Sequence, residues 1–227
     1  MAFITVKPEI KHNLARVARE LKIDEGLLRI ANRFEQKHQL YCPGYVIEEH
    51  NDKEFQTIQD IKSFLQPRQL DLSDNWVEQE KIYDHSAVQK EIKKIIDVFP
   101  FVSCREIGRS VLGRPIWELK TGGEHAAKKV HMNASFHANE WITTSVLLKW
   151  FKEYCMSLCC NSSFFGFSPM ELFSSTSLSL VPLVNPDGVD LVLNGTEGME
   201  ARKDELERLN DHRLNFNEWK ANINGVT

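Results

Sequence analysis

The 227-residue sequence has no run approaching the ~18 consecutive apolar residues that a membrane-spanning helix requires. Its longest apolar stretches are interrupted by Lys149, Lys152 and Glu153, or by Pro182 and Asn185. The first residues, Met1-Ala2-Phe3-Ile4-Thr5-Val6-Lys7-Pro8, lack the basic start, the ~7–15-residue apolar core and the small-residue cleavage site of a secretion signal. A cytoplasmic protein without a transmembrane segment is expected. A strong charge of one sign is also missing. The net charge is -4, and pairs such as Lys93-Lys94 and Lys128-Lys129 read as solvated faces, so no nucleic-acid partner is expected. There is no internal repeat and no low-complexity segment. The five cysteines include the adjacent Cys159-Cys160, which suits neither a disulfide framework nor paired CxxC zinc knuckles. Cys155 and Cys159, one helical turn apart, share a face that would suit a metal. No second cysteine pair lies nearby, and reduced core or surface thiols are the expectation.

What is present is the composition of a globular protein, 42% hydrophobic and 26% charged. Residues 1–50 read as a small unit. A strand over Phe3–Lys7 is followed by a polar turn, and Leu14, Val17, Ala18 and Leu21 then fall at helical spacing within Asn13–Lys22. Asp24 is a plausible N-cap for a second helix carrying Leu27, Leu28, Ile30 and Ala31. After the turn Tyr41-Cys42-Pro43-Gly44, Tyr45-Val46-Ile47 reads as the closing strand. Residues 51–80 are polar and read as a linker, although Ile58, Ile61 and Leu65 have the spacing of a short helix.

Residues 81–227 alternate helices and strands, the pattern of an α/β domain. Val88, Ile92, Ile95, Ile96 and Phe99 form a helix face ending at Pro100. Val102–Ile107 and Ile116–Thr121 read as a hairpin around the polar turn Gly108–Arg114. Lys129–Ala134 and Leu178–Leu183 read as further strands, and Trp141–Tyr154 as an apolar helix. The junction between the Val130–Ala134 strand and that helix holds Ser135-Phe136-His137-Ala138-Asn139-Glu140. Loops after strand ends are where α/β folds place ligands. An imidazole and a carboxylate three residues apart can turn to one side and hold a single Zn²⁺. Spacing alone equally suits a His and a Glu that hydrogen-bond on a surface.

The flanking residues narrow the choice. Gly108-Arg109-Ser110-Val111-Leu112-Gly113-Arg114-Pro115-Ile116 resembles the hairpin that precedes the metal loop in zinc carboxypeptidases of the carboxypeptidase A type. His137-Ala138-Asn139-Glu140-Trp141 resembles that family's metal motif, and Asn185-Pro186-Asp187-Gly188 its Asn-Pro-Asp-Gly segment. Trp219-Lys220-Ala221-Asn222, followed by Gly225-Val226, is similar to the bacterial γ-D-glutamyl-diamino acid endopeptidases. The resemblance implies a mixed-sheet domain binding Zn²⁺ through His137 and Glu140. It implies Lys220 as a cation at the developing oxyanion, Asn185 and Asp187 as substrate contacts, and peptidoglycan stem peptides as substrate. Lys220 as an exposed lysine without a catalytic part stays open.

The N-terminal unit resembles a LysM module through Thr5–Pro8, Leu14–Leu21, Ala31-Asn32 and Pro43–Ile47, although Glu9-Ile10-Lys11-His12 stands where that family has Gly-Asp-Thr. Binding of peptidoglycan and a purely structural role both stay open for it. The expected architecture is thus a small βααβ LysM-like domain before an incomplete zinc carboxypeptidase-like α/β domain. In that family the second histidine ligand, a substrate-side tyrosine and the glutamate base follow the Trp219-like segment, and no position here matches them. His212 precedes that segment and reads as an exposed histidine. The alternative is a non-catalytic peptidoglycan-binding protein working through residues 3–49, and a different metallohydrolase recruiting His212 is a third reading. The expectation is a truncated chain, inactive alone and poorly stable, with an exposed sheet edge.

Overall fold

Alternation of buried and outward residues sets the first strand, β1 (Phe3–Val6), from which Ile4 and Val6 enter a core. The computed structural model describes residues 3–23, 25–32, 38–43, 45–46, 54–67, 82–123, 126–160 and 162–227. Where a polar turn is expected, Pro8 opens a short helix, α1 (Pro8–His12), and Ile10 is buried. Proline at the first helical position gives up no hydrogen bond and is already set for the helical φ. Helix α2 (Leu14–Leu21) begins where the Asn13 side chain accepts the Arg16 N–H at 3.2 Å, buries Val17, Ala18 and Leu21, and ends at left-handed Lys22. Helix α3 spans Glu25–Ala31; the cap expected at Asp24 lies outside the described residues.

The strand that closes this unit is β2 (Gln39–Tyr41), antiparallel to β1 with Ile4 opposite Leu40, and not Tyr45–Ile47. Asn32 explains the difference. Its amide donates to the Leu28 and Tyr41 carbonyls at 2.8 Å each and accepts the Tyr41 N–H at 2.7 Å. Those bonds hold the Tyr41 main chain at the end of α3. Strand β3 (Tyr45–Val46) is left to pair elsewhere, and Ile47 lies outside the described residues. Part of the expected linker is folded: β4 (Glu54–Phe55), α4 (Ile58–Phe64) and β5 (Gln66–Pro67) occupy it. Strand β4 pairs in parallel with β1, and β5 is the antiparallel partner of β3. Thr57 and Asp60 form a reciprocal capping box, and Phe55, Ile58, Ile61 and Leu65 share one core with Val6, Val17 and Leu21. Burial of these four apolar side chains outweighs the polarity of the stretch. Residues 68–81 of the expected linker lie outside the described residues.

Helix α5 (His85–Val98) is started by Asp84, whose carboxylate accepts the Ala87 N–H at 2.7 Å. Its buried Val88, Ile92 and Ile95 pack into the larger core. Tyr41 joins that core and donates its hydroxyl to the Val98 carbonyl at 3.2 Å, so the N-terminal unit packs directly on α5. Strands β6 (Ser103–Arg109) and β7 (Pro115–Gly122) make a hairpin with an irregularity between Glu106 and Gly108. Strand β6 runs through Arg109, which confines the turn to residues 110–114. Then come β8 (Lys128–Asn133), α6 (Ile142–Cys160), α7 (Pro169–Ser175), β9 (Thr176–Val181), α8 (Pro186–Asn194) and α9 (Lys203–Leu209). Helix α6 runs past its expected end at Tyr154, because Cys155, Leu158 and Cys159 continue its buried face. The sheet order is β6-β7-β9-β8, antiparallel except for the parallel pair β8 and β9. The chain therefore has a mixed α/β fold. Among the described residues β8 is an edge strand with exposed Lys128, Lys129, Val130 and His131.

Two charged devices tie this unit together. Lys152 of α6 and Glu91 of α5 form an ion pair, both side chains almost fully buried. Glu118 on β7 binds Arg105 of β6 and accepts the Ser179 hydroxyl of β9 at 2.7 Å, linking three strands. Burial alone would push the Glu118 carboxyl up. Hydrogen bonds from Arg105 and Ser179 and the nearby Lys120 charge outweigh it and hold the carboxyl below its ordinary value of 4.5. A depressed carboxyl stabilises the fold above the unfolded value and loses that contribution as pH falls through the folded one. Urea midpoints measured from pH 6 to pH 3 should fall on the acid side, and Glu118→Gln should flatten part of that fall. Lys152→Met alone should cost roughly 3–5 kcal/mol, because Glu91 is left buried without its partner, and adding Glu91→Leu should recover most of it. Equilibrium urea denaturation of the single and double variants checks this.

Candidate functional site

Strand β8 delivers the chain to a sharp bend at Ser135, which is buried with φ of 49°. A non-glycine residue holds that left-handed conformation only when its surroundings over-determine it. Here they do. The Ser135 N–H donates to Thr143 Oγ1 at 2.8 Å, and Thr143 in turn donates to the Glu140 carbonyl at 2.7 Å. Thr144 gives its hydroxyl hydrogen to the Pro182 carbonyl at 2.6 Å, so the Ser135 hydroxyl donates to Thr144 across 2.6 Å. Two threonines at the start of α6 thus lock the loop onto the helix that follows. Their signal in the sequence is a polar pair at the head of an otherwise apolar helix.

Beyond the bend, residues Ala138–Glu140 form one 3₁₀ turn, with the Glu140 N–H donating to the His137 carbonyl at 3.1 Å. Two other segments brace this turn. The Ala138 N–H donates to the Lys220 carbonyl at 3.2 Å, and the Asn185 N–H donates to the Ser135 carbonyl at 3.1 Å. Asn185 also caps α8 by accepting the Gly188 N–H at 3.0 Å and donates to the Ala221 carbonyl at 3.0 Å. Gly188 has to be glycine: a Cβ there would lie 2.8 Å from Ala138 Cβ, 2.8 Å from the Ala221 carbonyl oxygen and 2.6 Å from Asn185 Nδ2.

Asp187, expected to contact substrate, is among the residues lining the cleft but only 2% exposed, and its carboxylate points toward the β6–β7 turn. Its carboxylate accepts the Ser110 hydroxyl and the Leu112 N–H, each at 2.9 Å. Arg114 stands 3.6 Å from it, pairs with Asp190 at 2.6 Å and donates to the Pro186 carbonyl at 3.1 Å. Burying a carboxylate demands such donors, and these leave Asp187 a part in building the wall. Ser110 and Arg114 are therefore site residues to which the sequence alone assigns no role. Asp190 also accepts the His85 N–H at 2.8 Å. Burial pushes the Asp190 carboxyl up, opposed by that bond and by Arg114, and burial lowers His85.

These segments surround a cleft of about 330 Å³ whose lining includes Arg109, Ser110, Phe136, His137, Asn185 and Lys220. Lys220 has an exposed side chain facing that space. His137 is half-buried and meets Phe136 edge to face at 5.5 Å, and Glu140 is exposed. Neither the imidazole nitrogens of His137 nor the Glu140 carboxylate has a hydrogen-bond or ion-pair partner among the described residues. A nitrogen and an oxygen donor, three residues apart on one turn and unclaimed by protein, are donor types that suit Zn²⁺, but of the two only His137 is among the residues lining the cleft. Among the described residues no group of three or more His, Cys, Asp or Glu converges on one point. His212 is exposed in a left-handed turn after α9, its N–H bonded to the Glu207 carbonyl, and it is not among the residues lining the cleft. Cys155 and Cys159 are buried in the core, and burial pushes the Cys155 thiol well up.

A family model described as zinc carboxypeptidase matches residues 89–225. The uncharacterized protein YqgT of Bacillus subtilis (strain 168) is 87% identical over 226 residues, 100% of this chain and 60% of its own length. Gamma-D-glutamyl-L-diamino acid endopeptidase 1 of Lysinibacillus sphaericus is 46% identical over 144 residues, 63% of this chain and 36% of that protein. Among solved structures, thrombin activatable fibrinolysis inhibitor aligns at 18% identity with a TM-score of 0.48, over 66% of this chain and 32% of that one. The chain thus spans 60% or less of the length of these curated relatives.

The brace behind the turn is open to test. Gly188→Ala should lower stability by about 1–3 kcal/mol, since two of the three crowded atoms are fixed by backbone or by a hydrogen bond. It should also shift the NMR resonances of the His137 ring, and unchanged resonances would show that the turn does not lean on α8.

Proposed function

The chain belongs to the zinc carboxypeptidase family, and on that premise we propose that it forms part of the active site of a peptidase that cleaves γ-D-glutamyl-diamino acid bonds in peptidoglycan stem peptides. The observation that carries the proposal is the meeting, at one cleft, of the His137 turn, the Lys220 side chain and the Asn185 cap. All three lie within the matched segment. The choice of bond is supported by the 46% identity to an endopeptidase of that name and by the Trp219-Lys220-Ala221-Asn222 segment.

In this reading His137 and Glu140 hold Zn²⁺, which when bound supplies Lewis-acid polarisation of water and of the scissile carbonyl. Lys220 brings a positive charge to the cleft wall, where charge on the carbonyl oxygen develops. A lysine there is a point charge without the planar fork of arginine, so it stabilises charge without fixing the plane of the carbonyl. Asn185 and Asp187 hold the wall in shape through the Ala221, Gly188, Ser110 and Leu112 contacts. The N-terminal unit would bind the peptidoglycan on which the stem peptides hang. What supports that role is the likeness of Thr5–Pro8, Leu14–Leu21 and Ala31-Asn32 to a LysM module.

Calorimetric titration of the chelator-treated chain with Zn²⁺ should show one ion bound, with binding lost in His137→Ala. Two protein ligands give weaker binding than the three of a catalytic zinc site, and little turnover is expected of the chain by itself. Joined to the remaining length of its 87% identical Bacillus relative, it should release diaminopimelate from L-Ala-γ-D-Glu-diaminopimelate. Lys220→Met in that longer chain should lower kcat by about 10²–10³-fold. No zinc uptake together with no release would sink the reading.

A further inference from the structure

The cleft wall carries a second cation with no part in the chemistry described so far. Arg109, at the end of β6, lines the cleft with a side chain that is 60% exposed, yet its guanidinium is held in place. Its Nε meets Glu106 Oε1 at 2.9 Å and its Nη2 donates to Glu106 Oε2 at 3.0 Å, a side-on fork. Its Nη1 donates to the Gly113 carbonyl at 2.9 Å. Gly113 sits at φ of 78°, the left-handed conformation that glycine adopts at little cost, so the turn itself presents that carbonyl. Three of the five guanidinium N–H groups are thus occupied and two remain for a ligand.

The surroundings say what kind of ligand. Lys220 lines the same cleft and has no acidic partner among the described residues. Among the described residues the one acidic side chain in the lining, that of Asp187, is committed to Ser110 and Leu112. The rim is apolar: Val111, Phe136 and Val226 line the cleft with 50%, 59% and 62% exposure. The site therefore offers oriented donors and one uncompensated positive charge beside apolar surface.

We infer that Arg109 is a specificity-determining residue that binds a carboxylate of the substrate next to the scissile bond. The inference rests on the peptidase reading above and deepens it. A γ-linked glutamyl residue joins its neighbour through the side-chain carboxyl, so its α-carboxylate stays free and negatively charged close to the bond being cut. That group is planar and accepts two hydrogen bonds, which matches the two N–H groups Arg109 has left. Lys220 adds charge, and the apolar rim covers the small side chain of the preceding residue. The Glu106 and Gly113 contacts fix the guanidinium beforehand, so little side-chain freedom is lost on binding.

Binding to the metal-free chain tests this apart from catalysis. The probes are the tripeptide L-Ala-γ-D-Glu-L-Lys and the same peptide with its glutamyl α-carboxylate converted to the amide, titrated by calorimetry or NMR. The carboxylate form should bind about tenfold or more tightly, the size of one lost charge-assisted hydrogen bond. Arg109→Gln should bring the two peptides to equal affinity, and Arg109→Lys should restore only part of the difference. Glu106→Gln should shrink the difference while leaving the fold intact, since that pair is exposed. Equal binding of both peptides by the parent chain, binding of neither, or discrimination that survives Arg109→Gln would each overturn the inference. The outcomes separate from those of the functional reading. Zinc uptake without discrimination removes Arg109 and leaves the reading. Discrimination without zinc uptake and without diaminopimelate release from the longer chain keeps the anion site and removes the peptidase.

Discussion

A buried carboxylate is tolerated only where donors surround it, and the cleft depends on the way this chain satisfies that demand at Asp187. The donors come from Ser110 and Leu112, on a turn more than seventy residues earlier in the chain, and the neighbouring Arg114 is shared with Asp190. One side chain therefore joins the β6–β7 turn to the first turn of α8. The turn forms one wall of the cleft, and α8 supports the other through Gly188 and Asn185. Without Asp187 the hairpin tip would be tied to α8, among the described residues, only through the Arg114 contacts to Asp190 and the Pro186 carbonyl.

The turn that carries His137 and Glu140 is held on a similar plan, with several weak constraints converging on a short segment. Ser135 is bent into the left-handed region and tied to Thr143 and Thr144, while Ala138 is tied to Lys220 and packed on Gly188. Each hydrogen bond contributes only about 0.5–1.5 kcal/mol to stability. Their joint effect is positional: His137 and Glu140 leave a turn whose backbone has little freedom. In the proposed role, two ligands on such a turn would meet a cation without first paying to order the loop. The same contact that fixes Ala138 also holds the backbone of Lys220, so the His137 turn and the lysine are placed together.

How much of this is legible in the sequence follows from which interactions are local. The helices α2 and α5, the β6–β7 hairpin and the β8-to-α6 junction all rest on short-range spacing or capping, and they lie where spacing puts them. His137 and Glu140 stand out only through the three flanking motifs, because a His and a Glu three apart carry little information alone. What spacing cannot show is the partner of a polar side chain. Asp187 in Asn-Pro-Asp-Gly has the look of a substrate contact until Ser110 and Leu112 are seen to claim it. Asn32 decides which strand closes the N-terminal unit by bonding to Tyr41, across residues of no regular pattern. The folded stretch 54–67 is hidden for a different reason. Its apolar residues are few, and only docking against Val6, Val17 and Leu21 makes them a core.

The two cations of the cleft show how position divides labour between chemically similar groups. Arg109 is held by Glu106 and Gly113 and is largely neutralised by the acid that orients it. What it retains is direction: two N–H groups at a known place, suited to a planar anion present in both ground and transition states. Lys220 has no such tether, and its charge is uncompensated by any acid among the described residues. An untethered, uncompensated charge is a poor reader of shape but responds strongly to charge that grows during a reaction. Under the proposed function, selection of the substrate and stabilisation of its transition state would fall to different residues, far apart in the sequence of the same domain. Exchanging Arg109 for lysine and Lys220 for arginine would keep the net charge of the cleft and disturb both tasks, which makes orientation, rather than charge alone, the property this cleft is built to supply.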